Sequence, residues 1–109
     1  MINSKIIQAL EPLNIPIYWM NYDGYDNEYI IFQTNSQNDI RFTDDTADAE
    51  SSDIGLIFWF NTSTGASKID MLKELMKQNN FIKISERDMY DDGYYGRTFN
   101  FRYVKDFEI

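Results

Sequence analysis

The sequence predicts an α+β fold, with one mostly antiparallel sheet of about four to five strands and two helices on one face. Two stretches carry apolar residues at spacings of three and four, others alternate apolar with polar residues, and a continuous apolar run lies between them. A chain of 109 residues with 43% hydrophobic residues suits a single domain over residues 1 to 109. Its apolar surface is enough to offset the entropy of ordering the chain.

The first helix rests on Ile6, Ile7 and Leu10, which share one helical stripe, and Pro12 and Pro16 end it. Proline restricts the residue before it to extended backbone, so Ile15 to Met20 reads as strand, with an edge strand over residues 17 to 20. The turn formers in Asn21-Tyr22-Asp23-Gly24-Tyr25-Asp26-Asn27 mark a loop. From Glu28 to Thr34, β-branched and aromatic residues alternate as a strand. The alternation then fails. Asp39, Asp44, Asp45, Asp48 and Glu50 outnumber Arg41, and a long acidic loop is expected at about 36 to 52. Such a loop would be mobile in an isolated subunit.

Asp53 to Phe60 is apolar after its first residue, as in a central strand covered on both faces, which places Trp59 in the core. Asn61-Thr62-Ser63-Thr64-Gly65 offers several N-caps to a helix from about Thr64 to Gln78, with Ile69, Leu72, Leu75 and Met76 inward and Lys68, Lys73 and Lys77 outward. Asn79-Asn80 suits its C-terminus. Two antiparallel strands follow, Phe81 to Arg87 and Thr98 to Val104, the second with Phe99, Phe101 and Tyr103 on one face. A turn within Asp91 to Gly96 joins them.

Composition narrows the chemistry. The chain has no cysteine and no histidine, so thiolate chemistry is excluded and the commonest general base and metal ligand are missing. The start of the chain lacks a long apolar core of the kind found in signal peptides, and the run from Ile54 to Phe60 is far too short to span a bilayer as a helix. A cytoplasmic, non-membrane protein is expected. Its formal charge of −8 repels phosphate backbones and disfavours direct, sequence-specific nucleic-acid binding.

Carboxylates are the abundant titratable class, yet their positions suit solvated turns better than chemistry. Asp23, Asp26 and Glu28 lie in or beside a turn. Asp44, Asp45 and Asp48 lack the glycine of a calcium loop, and the register from Asp88 to Gly93 has Tyr90 and Phe99 where oxygen ligands belong. Gly65-Ala66-Ser67-Lys68 is no phosphate loop, and Asn61-Thr62-Ser63 matches a glycosylation sequon that reads as capping chemistry. No enzymatic activity, cofactor, metal or small-molecule substrate is expected. The aromatics Tyr18, Trp19, Tyr22, Tyr25 and Tyr29 cluster near the first loop, where tyrosine and tryptophan suit protein interfaces or ordinary packing. Tyr22, Tyr25, Arg41 and Phe42, all in expected loops, are the candidate interface residues.

The succession of segments resembles a known family. Ile15-Pro16-Ile17-Tyr18, Gly24, Tyr29-Ile30-Ile31-Phe32, the acidic stretch, Ile57-Phe58-Trp59, Ile69-Asp70-Met71-Leu72-Lys73-Glu74-Leu75-Met76, Asn80-Phe81 and Asp88-Met89-Tyr90 follow one another as in the tail terminator or tail completion (head-tail joining) proteins of long-tailed phages and prophages of Gram-positive bacteria. The resemblance implies an α+β domain that forms a ring, closes the end of the tail tube and presents it to the head connector. It implies as partners copies of itself, the tube protein and connector proteins, in the virion and, during assembly, the host cytoplasm. It carries over no catalytic residue. A different class, an acidic inhibitor or DNA mimic that binds a basic site on a nuclease or DNA-binding protein, draws on the same negative charge. A mimic needs its acids spaced along a rigid face, and an acidic loop is not one.

Overall fold

The computed structural model describes residues 2 to 24 and 26 to 107. Helix α1 (Ile2–Leu10) leads through a 3-10 turn (Glu11–Leu13) to strand β1 (Ile17–Trp19). Strands β2 (Glu28–Thr43) and β3 (Thr46–Phe60), helix α2 (Lys68–Gln78) and strands β4 (Ile82–Asp91) and β5 (Tyr94–Asp106) follow. The sheet order is β1-β2-β3-β5-β4, antiparallel except for the β1 edge, which runs parallel to β2. The expected α+β architecture is the observed one.

Both helices cover one face. On β3 the residues facing them, Ile54, Leu56, Phe58 and Phe60, are buried, and they meet Ile6 and Leu10 of α1, Leu72 and Met76 of α2, and Phe99 and Phe101 of β5 in one core. The alternate residues Ile57 and Trp59 point to the other face and are only half-buried. β3 is therefore not covered on both sides, and Trp59 does not belong to the core. A continuous apolar run does not reveal which of its residues face a second layer, because periodicity is lost in it. Ile7 is likewise 45% exposed, and Ala9 takes the inward position on α1.

Local chemistry explains the boundaries. At the end of α2, Asn80 adopts φ 69, while Phe81 N–H donates to the Met76 carbonyl and Asn80 N–H to that of Lys77. This is a Schellman closure with asparagine in the left-handed position, completed by burial of Phe81 and Met76 together. The N-terminus of α2 differs from expectation. It starts at Lys68, Ser67 makes no side-chain cap, and the Ser67 hydroxyl instead donates to the Thr64 carbonyl at 2.6 Å.

The largest departure lies at residues 36 to 52, which form the outer part of a continuous hairpin and not a loop. Pairing runs from Glu28↔Phe60 to Thr43↔Thr46, with one irregularity between Thr34 and Ser36. Asp44 and Asp45 make the two-residue turn with φ 50 and 65, the left-handed backbone of a type I′ hairpin, which aspartate tolerates. The β4–β5 hairpin closes in the same way on Asp92 and Gly93, φ 47 and 85. Strand pairing seeded among apolar residues extends into polar ones because each added residue gains backbone hydrogen bonds, while acids on an exposed ribbon stay hydrated.

Candidate interaction surfaces

The aromatic residues of the first loop are tied down by the strand beneath them. β1 is so short that the chain returns to the start of β2 within the segment 20 to 27, and Met20 begins the reversal with φ 66. The Tyr22 ring stacks on Tyr29 of β2, centroids 3.9 Å apart, and lies 4.6 Å from the Tyr18 ring. Tyr29 in turn meets Tyr94 of β5 edge-on at 5.8 Å.

Asp26 gathers the polar ends of this group. Tyr18 Oη donates to Asp26 Oδ2 at 3.1 Å and Tyr22 Oη to the same oxygen at 2.9 Å, while Tyr94 Oη donates to the Asp26 carbonyl at 3.0 Å. Partial burial first, then the adjacent carboxylate, raises the pKa of Tyr18 above the usual phenol value. Tyr22 is raised as well, chiefly by burial. Both phenols therefore stay protonated and able to donate. Beside them, Trp59 packs so closely on Gly96 that a Cβ there would come within 2.7 Å of its ring.

The sequence-predicted interface residues thus separate. Tyr22 is half-buried in the aromatic nest, stacked on Tyr29 and tilted against Tyr18. Tyr25 lies outside the described residues. Arg41 and Phe42 stand at the opposite end of the β2–β3 hairpin, in a molecule 53 Å long and 23 by 21 Å across. Phe42 is 63% exposed. Arg41, with φ 54, pairs with Asp106 at the end of β5, which braces the hairpin from the neighbouring strand.

The carboxylates weighed for chemistry mostly make structural contacts. Glu28 holds Lys68 at 2.8 Å and thereby joins the start of β2 to the start of α2. Asp48 accepts from the Thr43 hydroxyl across the hairpin turn. Among the described residues no group of three or more Asp, Glu, His or Cys side chains is placed to hold a metal ion, and no helix is long and apolar enough to cross a membrane.

A second cluster escaped the sequence reading. Glu86 on β4 meets Lys73 of α2 at 3.2 Å, Lys83 at 3.0 Å and Arg97 of β5 at 3.0 Å. Three cations, with Lys83 first, draw its pKa down to about 2 from the usual 4.5, against the partial burial that opposes them. In the sequence the lysines of α2 mark only its solvent face, since nothing in their spacing reveals which strand passes beside them. Next to this cluster a groove of about 840 Å³ opens between α2 and the start of β4. Ile82 and Ile84 are 55% and 53% exposed along that edge, where the strand is irregular between Lys83 and Ser85.

No known protein family matches the chain, and no curated protein matches its sequence.

Proposed function

We propose that the protein is a structural assembly subunit that forms a ring, closing the end of a phage tail tube and joining it to the head. One observation carries the reading beyond the resemblance of segment order. The β2–β3 hairpin leaves the helix-covered body as a braced arm and holds an exposed aromatic residue, Phe42, at its tip. Single exposed hydrophobics are common on protein surfaces, but an aromatic side chain held out on a braced arm is in a position to anchor a neighbouring subunit or tube protein. Work at the head-tail junction of the virion, after assembly in the host cytoplasm, follows from this reading.

Electron microscopy of tails assembled with and without the protein tests it. Tails of normal length, joined to heads, are expected when it is present, and overlong or unjoined tails when it is absent. Indistinguishable particles in the two preparations overturn the proposal.

A second reading gains support from the same arm. Asp39 and Glu50 face each other across a paired ribbon, and Asp44 and Asp45 form its tight turn, which supplies part of the fixed spacing that a DNA mimic needs. Inhibition of a nuclease by the purified protein, relieved by Asp39→Asn and Glu50→Gln, would favour that reading.

A further inference from the structure

The charge of this chain is segregated. Residues 36 to 53, the outer hairpin, hold six acidic residues and one basic, whereas residues 68 to 87, covering α2 and most of β4, hold five basic and three acidic. The groove between α2 and β4 lies within the basic region. Lys73, Lys77 and Lys83 rim it, Phe81 and Phe101 form its floor, and Ile82 its exposed lip. Asp70 and Glu74 also line it. Glu86, beside the groove, is shared by Lys73, Lys83 and Arg97, while Asp70 also approaches Lys73 and Asp88 holds Arg97, so Lys77 is the groove lysine left for an incoming carboxylate, with Lys83 sharing Glu86. Lys77 has no ion-pair partner among the described residues.

The tip of the hairpin has the complementary chemistry, with exposed Phe42 followed by Asp44 and Asp45. It cannot reach the groove of its own chain. Ile82 lies level with Asp53 across β5, through Arg102, and the hairpin runs on from there to its turn at Thr46. At about 3.3 Å per residue the tip stands roughly 23 Å beyond the groove. Pairing with β5 as far as Ala49↔Asp106, and the Arg41–Asp106 ion pair, keep the arm from folding back.

We propose that the groove between α2 and β4 receives the hairpin tip of a second copy of this chain, with Phe42 against Phe81 and Ile82, and Asp44 and Asp45 facing Lys77 and Lys83. The inference rests on the self-assembly reading and names its contact. Tip and groove are different surfaces, so each copy gives one and receives one, and repetition closes a ring or extends a filament.

The absence of cysteine makes cross-linking clean. Thr46→Cys, beside the tip, and Glu74→Cys, at the groove, are mixed under mild oxidation, with Ser4→Cys on exposed α1 as the alternative partner. A disulfide-linked dimer of Thr46→Cys with Glu74→Cys, and little with Ser4→Cys, is expected. Equal coupling to both, or none, overturns the groove. In sedimentation equilibrium, Asp44→Asn/Asp45→Asn, which keeps residues tolerant of left-handed backbone, and Lys77→Gln/Lys83→Gln should each weaken self-association roughly tenfold at low salt. Combined, they should lose little more than either alone, because they remove the same pairing. Losses that multiply, or a wild-type chain monomeric at every concentration, also overturn it. Absent coupling in a protein that still closes tails removes the groove and leaves the tail reading standing. Coupling in a protein whose loss leaves tails unchanged does the reverse.

Discussion

Residues 54 to 60 and residues 46 to 53 belong to the same strand, β3, but different forces hold them. In the inner part every second side chain is buried against the helices, and water is excluded from one whole face. In the outer part the buried side chains, Ala49, Ser51 and Ser52, are short, and order comes chiefly from backbone pairing, to β2 along its whole length and to β5 as far as Ala49, with side-chain bonds such as Ser36 to Asp53 and Gln37 to Ser52. Burial makes the first part stable and pairing makes the second part straight. A stable body can thus carry a stiff arm without a second hydrophobic core.

The sharpest way to break this contrast compares two adjacent residues. Phe58→Ala empties a fully buried site and should cost about 3 to 5 kcal/mol, a large share of a total near 5 to 15 kcal/mol. Trp59→Ala, on the open face, should cost about 1 to 2 kcal/mol, because its ring is only half-buried. Urea denaturation of both variants checks this, and equal losses would mean that the open face is covered after all.

Glu86 tests how far the helix-covered half depends on charge. Its carboxyl titrates lower in the folded chain than in the unfolded one, so its stabilisation is complete above about pH 4.5 and is lost as pH falls toward about 2. Glu86→Gln should cost about 1 kcal/mol at pH 7, the partners being partly exposed, and almost nothing near pH 2. Thermal unfolding across that range would reveal a parallel offset at every pH if the loss were one of packing.

The arm should matter least to stability. Replacing residues 40 to 49 with Asn-Gly between the paired Asp39 and Glu50, which have the same hydrogen-bonding parity as Thr43 and Thr46, keeps the hairpin and should cost about 1 kcal/mol, since Ala49 is the only fully buried side chain removed, while abolishing self-association. Failure to fold would show that the arm supports the body. A smaller change sharpens the point: Asp45→Gly relieves a left-handed aspartate and should stabilise the chain by about 0.5 kcal/mol, read from the denaturation midpoint.

The fold class was legible because both helices carry clear stripes and because Phe99, Phe101 and Tyr103 alternate cleanly. The arm was not, since strand recognition leans on alternating large apolar residues and what the arm buries, Ala49, Ser51 and Ser52, is small or polar and includes two neighbours in sequence. Ile40 and Phe42, two apart, with Thr43 and Thr46 flanking an Asp-Asp pair, were the available trace of a hairpin. Of the candidate interface residues, Arg41 and Phe42 stand at the projecting tip. Tyr22 turned inward because Tyr29, which receives it, pairs with Trp59 on the open face, and no local pattern records which face a returning loop will cross.

The strand order has a kinetic consequence. β2–β3 and β4–β5 are local hairpins, each closed by a two-residue turn, so the pairing within each needs little loop closure. The β3–β5 seam joins them across α2 and brings Leu56 beside Phe99, far apart in sequence. Closing that long loop comes before the contacts that reward it, so docking of the hairpins is expected to limit the folding rate. Leu56→Val should accordingly slow refolding in stopped-flow measurements, whereas Phe42→Ala, at the far end of one hairpin, should leave the refolding rate unchanged.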